Sequence, residues 1–433
     1  MSTKIPANCT VHLLGGTYMT KGSSGGFQLK TGQKIRGSGI DITIVRLTNS
    51  SPSVVFNNTS SIGYDANVSD IEISDLTCDA NGQNLTVNNT YGGIYIGGSR
   101  AAIRRVKIQD LAHGPGPSEV FGILTGGADN TNAERLVIED CVVMPPLAGT
   151  VCTSIAAGAG SNSFVSARIS GNWVYGTNTM TVQTFAIGHE FNTLLSGNHI
   201  LNADSGIASE QGSSTNVTVV NNVFQNVGWG VQLVSGVNQN LYFSGNTFEL
   251  AYNTNSYCTA FNQSCPVIGE KVIGNTMKIY GAVGPSYYAI IADVATNLIF
   301  ADNSIDSRFS WTFVGCTNVI LRDNVDLLGN CLSSTNQIEL PNSLTRKTVS
   351  SSSYTAQYLD RYIGVQNVGG ATINLPSPTG WSGKDYIIAN ETSSGTVTVS
   401  ASPATINGSS SISFSGGYTA RTVISDGSNW LAR

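Results

Sequence analysis

Short apolar runs that end in Asp or Asn recur along the chain, separated by polar turns. They read Ile-Glu-Ile-Ser-Asp75, Val-Lys-Ile-Gln-Asp110, Leu-Val-Ile-Glu-Asp140, Ala-Arg-Ile-Ser-Gly-Asn172, Leu-Leu-Ser-Gly-Asn198 and Thr-Val-Val-Asn-Asn222. The series continues through Leu-Tyr-Phe-Ser-Gly-Asn246, Lys-Val-Ile-Gly-Asn275, Leu-Ile-Phe-Ala-Asp-Asn303 and Val-Ile-Leu-Arg-Asp-Asn324, at spacings of 21 to 35 residues. A second run precedes each marker, as in Gly-Ile-Tyr-Ile-Gly97 and Gly-Val-Gln-Leu233, and a third follows it, as in Trp173-Val174-Tyr175. Alternation within the runs has period two, and no helical pattern joins them. Three short strands in each such unit predict a parallel β-helix, whose inward side chains stack on those of the next coil. A β-propeller would need four strands and about 40 to 50 residues per repeat, so these units are too short for it. Asn at the marker fits a ladder of side-chain amides between coils and tolerates left-handed backbone geometry, and Gly before it suits a sharp turn.

The period changes near the C-terminus. Residues 333–353 are polar and Ser-rich, as expected of a linker. Beyond them Ala371-Thr372-Ile373-Asn374-Leu375, Thr396-Val397-Thr398-Val399, Ser411-Ile412-Ser413-Phe414 and Arg421-Thr422-Val423-Ile424 alternate between Gly, Pro, Asn and Ser turns. The expected organisation is all-β: a parallel β-helix over 1–332, the linker, and a small antiparallel β-sandwich over 354–433.

Composition supports this and narrows the function. Charged residues make 11% of the 433, and the net charge is −5. With 22 Lys and Arg spread along the chain there is no basic footprint for nucleic acid. No apolar run approaches the roughly 18 residues of a membrane span, and the first residues lack the apolar core of a signal peptide. The eight cysteines include no CxxC pair, so no zinc site is expected. Most lie in strand-like runs as buried thiols, and Cys258 and Cys265 fit either a local disulfide or two thiols.

The opening Val11-His12-Leu13-Leu14-Gly15-Gly16-Thr17-Tyr18, with Leu29-Lys30-Thr31-Gly32 to Ile35-Arg36-Gly37-Ser38-Gly39 and the later Asp-Leu-Thr-Cys-Asp79-Ala-Asn-Gly82, resembles the pectate-lyase-like β-helix superfamily of phage tailspikes and polysaccharide-degrading enzymes. Gly15 stands where that family usually has Ala, and the family's upstream amphipathic helix is absent. The run from Tyr362-Ile363-Gly364-Val365 to Asp426-Gly427-Ser428-Asn429-Trp430 resembles the C-terminal β-domains of phage tail fibres and tailspikes. The resemblance implies a right-handed β-helix, a homotrimer, a polysaccharide partner, and a place on a virion tail or outside the cell. It also implies a trimerising or glycan-binding C-terminal module.

Scarcity of charge directs the search for chemistry. Between Arg168 and Lys271 there is no Lys or Arg, while Glu190, Asp204, Glu210, Glu249 and Glu270 fall there. Stacking Ile187 on Ile207 points both isoleucines inward and places Glu190 beside Glu210 on the outer face, about one strand spacing apart. Such a pair would split its pKa values into acid and base, as glycoside hydrolysis requires, with the separation deciding retention or inversion. Asp204, in the turn before the Glu210 strand, and Asp293, further along the same face, are the other candidate catalytic carboxylates. His189, Trp229, Gln232, Tyr287 and Tyr288 are the candidate sugar contacts. Asp75, Asp79, Asp140, Asp302 and Asp323 read as structural turn residues. The leading expectation is an endo-glycoside hydrolase without cofactor. A polysaccharide lyase, which would use Ca²⁺ or the cations Lys271, Lys278 and Arg308, and a non-catalytic glycan-binding adhesin are the alternatives.

Overall fold

The computed structural model describes all residues except 1–4, 23–26, 50–52, 59–64, 66, 85–89, 114–119, 128–130, 149, 151, 160–163, 178–181, 189, 210–211, 252–257, 281–285, 314–315, 328–345, 358–359 and 380–383. It divides into two compact units, residues 1–336 and 337–433.

The first unit is a parallel β-helix with three stacked faces. Sheet I runs from Phe27–Gln28 to Ser310–Phe313 through eleven described strands in an unbroken parallel stack. Sheet II includes Val165–Ser170, Leu194–Ser196, Thr218–Val220, Tyr242–Ser244, Lys271–Ile273 and Ile299–Ala301. Sheet III includes Trp173–Tyr175, His199–Leu201, Val223–Val227, Thr247–Leu250 and Thr276–Ile279. Two longer strands, Glu72–Asp79 and Ala102–Gln109, run across the corner between sheets II and III. Every coil therefore contributes one strand to each face, as the triple repeat of apolar runs requires.

The marker asparagines line the inside of the corner between sheets II and III. From Asn172 through Asn198, Asn222, Asn246, Asn275 and Asn303 to Asn324, each Nδ2 donates to the next Oδ1 at 2.8–3.1 Å. The backbone N–H of each donates to the same oxygen, and each Nδ2 also meets a strand carbonyl such as Leu195 O or Val219 O. Steps of 26, 24, 24, 29, 28 and 21 residues leave the ladder intact, because the extra length is taken up in the turns.

The left-handed residue is the one before the ladder asparagine, so the expected double role is shared between neighbours. Gly171, Gly197, Asn221, Gly245, Gly274, Asp302 and Asp323 all have φ between 53° and 67°. At Gly245 a Cβ would also lie 2.4 Å from Asn221 Oδ1, which leaves no room for a side chain. In the earlier coils the same turn is made by Asp75, Arg105 and Asp140. Asp110 sits in the following turn, after the strand Ala102–Gln109, so its marker is out of step with the others. Both turns favour Asp or Asn for the same reason, and the sequence alone does not tell them apart.

Hydrocarbon columns fill the interior. Ile207, Val231, Phe261, Ile290 and Trp311 stack in sheet I. Phe224 and Phe248 stack at 4.7 Å and 6° between planes. Gly230 lies against the Phe248 ring, where a Cβ would meet Cδ1 at 2.4 Å. Each fully buried side chain of this size stabilises by roughly 1.5–3 kcal/mol. Outside, the early coils carry inter-coil ion pairs. These are Arg36–Glu72 at 3.0 Å, Arg46–Asp79 at 2.6 Å, Arg105–Asp75 at 2.6 Å, and Arg104 and Arg168 on Glu139. Most have partly exposed partners and contribute about 0–1 kcal/mol each. Cys258 and Cys265 are both free thiols, not a disulfide.

The C-terminal unit packs two sheets around one core that includes Val349, Ile363, Ile373, Tyr386, Val397, Phe414, Val423 and Trp430. Pairing within the sheets is mixed. Arg346–Val349 with Tyr362–Val365, and Ser353–Thr355 with Ala371–Asn374, are parallel, whereas Thr396–Ser400 with Ser411–Ser415 is antiparallel. Alternation reports which face of a strand is buried and is blind to strand direction, so it did not reveal the parallel pairs. The strand Arg346–Val349 lies in the Ser-rich segment read as linker, and 333–345 is outside the described residues.

Asn222→Ala is expected to cost about 3 kcal/mol or more in denaturant unfolding. It removes the acceptor of two Asn198 donors and the side-chain donor to Leu195 O in the interior. Asn216→Gly, which cuts an equivalent but exposed ladder between Asn192 and Asn240 while tolerating φ of 56°, is expected to cost less than about 1 kcal/mol.

Candidate functional site

The register between coils decides which side chains share the outer surface of sheet I. Phe185 pairs with Ile207 and Ala186 with Ala208, two residues away from the expected stacking of Ile187 on Ile207. A slip of two preserves the inward-outward alternation, so the pattern of apolar residues did not detect it. Glu190 consequently belongs to the corner between sheets I and II. It bridges to Val165, its carbonyl accepts the Thr215 N–H at 2.8 Å, and its side chain is 2% exposed. Glu190 Oε2 accepts from Ser214 Oγ at 3.0 Å, and the Ser214 N–H donates to Asn238 Oδ1 at 3.1 Å. Glu190 is thus part of a buried polar column and not half of an outward carboxylate pair. Glu210 and His189 lie outside the described residues.

The other candidates separate by strand parity. Tyr287 turns into the core, 4% exposed, with its ring 5.9 Å from Phe309. Its neighbour Tyr288 faces outward and is half-buried. Consecutive residues on a strand face opposite sides, so only one of the two tyrosines is available to a ligand. Trp229, Thr259 and Tyr288 pair in register on consecutive coils, Trp229 and Tyr288 half-buried and Thr259 between them fully buried. Gln232, Asn262 and Ile291 pair in register on the same coils. Trp229 and Tyr288 are two strand spacings apart, about 10 Å. Gln232 Oε1 accepts from Ser205 Oγ at 3.2 Å, which fixes the amide on the coil of Trp229.

Asp293 follows Ala292 at the end of this face, half-buried, its N–H bonded to Gln263 O at 3.0 Å. Asp204 is 5% exposed at the opposite end of the sheet I strands, and its carbonyl accepts the Trp229 N–H at 2.8 Å. A strand of five or six residues separates the two ends by about 15 Å or more, so Asp204 and Asp293 are not a pair. The sequence reading overlooked Asn262 and Thr259. Strict alternation does not reveal them, since the two are three positions apart and the ladder skips Ala260 between them.

The three cations named for a lyase stand elsewhere. Lys271 is exposed on the sheet II strand Lys271–Ile273. Lys278, on sheet III, is 4.0 Å from Glu249. Arg308 pairs with Asp306 at 2.5 Å, which holds that carboxyl below its ordinary range. No group of three or more His, Cys, Asp or Glu side chains suited to a metal occurs among the described residues. A concavity of about 400 Å³ between Ala7, Gln28, Lys30, Asn58 and Val68 lies at the N-terminal coils, away from this face.

A family model described as right handed beta helix region matches residues 75–248. No curated protein sequence matches the chain. Among solved structures, the chain is similar to the N-terminal fragment of gene product 12 of bacteriophage phi29, with 13% identity, 85% of this chain and 76% of that one covered, and a TM-score of 0.54. It is also similar to the tailspike protein of E. coli bacteriophage HK620 in complex with a pentasaccharide, with 14% identity, 97% and 85% covered, and a TM-score of 0.54. A hexasaccharide complex of a variant of that tailspike gives 14% identity, 90% and 75% covered, and a TM-score of 0.52. The chain has the right-handed parallel β-helix fold, similar to these phage proteins.

Proposed function

We propose that the protein engages a polysaccharide along the outer face of sheet I and cleaves it by glycoside hydrolysis. The observation that carries this reading is that half-buried Trp229 and Gln232 on one coil and Tyr288 and Ile291 two coils on stand in register, with the buried Thr259 and Asn262 between them. An extended polymer binds along such a track, with rings against sugar faces and amides against hydroxyls. Asp293 at the end of the track is the carboxylate placed to act as acid or base. Hydrolysis is favoured over elimination because Lys271, Lys278 and Arg308 stand off the track or are paired, so they do not supply the charge that steadies a uronate. The saccharide complexes of the HK620 tailspike are consistent with a glycan partner for this fold. A virion-tail or extracellular setting follows from the same reading.

One observation favours an adhesin as the second reading: the described carboxylates Glu190, Asp204 and Asp293 do not pair on this face. A panel of bacterial surface polysaccharides, scored for new reducing ends and for the ultraviolet absorbance of unsaturated sugars, separates the readings. Reducing ends without that absorbance are expected. The absorbance would establish a lyase, and binding without either product an adhesin. Trp229→Ala is expected to weaken glycan binding about tenfold. Asp293→Asn is expected to abolish turnover while leaving binding in place, and Glu190→Gln to change turnover by less than about twofold, since its carboxyl is buried against Ser214.

Two apolar strips support assembly as a homotrimer. Sheet III presents Trp173, His199, Leu201 and Val223, with Trp173 stacked on His199 at 4.1 Å. Sheet II presents Tyr242, Ile299 and Ile320, of which Tyr242 and Ile320 are exposed, with the exposed Lys271 standing between Tyr242 and Ile299. Two different strips on one chain are what a heterologous ring contact uses. Light scattering at micromolar concentration is expected to give three chains per particle, and a monomer would overturn it.

A further inference from the structure

One carboxylic acid stands inside the β-helix where its neighbours in the stack are hydrocarbon. Glu270 is fully buried. Its column runs from Leu241, whose carbonyl accepts the Lys271 N–H, to Leu298 in the next coil, and both leucines are buried. Gln263 faces it from sheet I, also fully buried, at the position filled by Leu233 in one adjacent coil and Ala292 in the other. Gln263 Nε2 donates to Glu270 Oε2 at 2.5 Å. The remaining oxygens, Glu270 Oε1 and Gln263 Oε1, are buried without a hydrogen-bond partner. An ionised carboxylate has no proton to offer the amide oxygen, and both oxygens would then be stranded in a medium of low dielectric. A proton on the acid supplies a donor and removes the charge.

We propose that Glu270 is held as a neutral acid in reciprocal partnership with the Gln263 amide, and that its ionisation loosens this coil of the β-helix. A titratable group coupled to it is the Cys265 thiol, which accepts from Asn238 Nδ2 at 3.2 Å and is pushed up by burial first and by Glu270 after it. Lys271 points to the outer surface of sheet II, and Asp293 stands beyond the strand end of sheet I, so neither offers a compensating charge in the interior. Burial pushes the Glu270 carboxyl up to about 8 from an ordinary 4.5, with the Gln263 hydrogen bond acting in the opposite sense. The sign follows from linkage. The stabilising contribution is fully present below about 4.5, declines as the unfolded chain ionises, and is lost as pH rises through about 8. Gln263 also carries part of the glycan track, since Asn262 precedes it and its carbonyl holds the Asp293 N–H. The inference itself stands without the glycan reading.

The test uses the whole chain and two measurements. In thermal unfolding between about pH 5 and pH 9, the Tm of the unaltered protein is expected to fall by roughly 5 °C or more beyond that of Glu270→Gln. Parallel curves for the two proteins would overturn the proposal. In infrared spectra at about pH 7, the carbonyl band of a protonated carboxylic acid is expected in the unaltered protein, absent from Glu270→Gln, and lost on titration through about pH 8. Should the variant not fold, the titration of the unaltered protein decides alone, and absence of the band at neutral pH would overturn the inference.

Discussion

The structure depends on satisfying backbone and side-chain polar groups at every corner of a stack that has no centre. In the flat faces the parallel strands pair with the coils on either side, and the peptide groups are met without help. At the corner between sheets II and III the chain turns through a left-handed residue. The inward asparagine after it takes two donors on one oxygen and returns its own amide to the neighbouring strand. One amide thus serves four polar groups without a charge, the fourth being the next asparagine's oxygen. The ladder begins where the Cys141 N–H donates to Asn172 Oδ1. In the coils before it, Leu76, Val106 and Cys141 take the inward place, and ion pairs join neighbouring coils on the outside. The scarcity of charge in the composition is therefore uneven: the earlier coils use charges between coils and the later coils use amides.

That division shapes the surfaces available for function. Where amides hold the coils, the described ion pairs are fewer, Lys278–Glu249 and Arg308–Asp306, and the outer faces carry aromatic, amide and apolar side chains in columns. Sheet I offers rings and amides along the helix axis, and sheets II and III offer apolar strips. The proposed glycan track and the proposed assembly surface fall on separate faces of one coil, and coil length varies in the turns without disturbing either.

Legibility differed between levels for identifiable reasons. The strands of each coil were readable because alternation and the Gly-Asn marker are local properties of the chain. The direction of pairing in the C-terminal sheets was not, because alternation is the same in parallel and antiparallel strands. The marker at Asp110 falls one turn late because the corner of that coil is made by Arg105, so the Asp signal appears only at the next turn. Tyr287 and Tyr288 were both read as sugar contacts, although parity alone allows one.

By itself, the sequence determined the architecture: a three-strand repeat, its Asn ladder, its short variable turns and a neutral central surface. Each of these follows from residue types at short range. Only the tertiary structure decided which carboxylates face solvent. Period-two patterning is unchanged by a slip of two residues, so the pairing of Phe185 with Ile207 had to be observed before Glu190 could be placed against Ser214 inside the corner. Glu270 shows the same limit from the other side. Its neighbours in sequence are those of any turn, and its burial between Leu241 and Leu298 is a property of the stack.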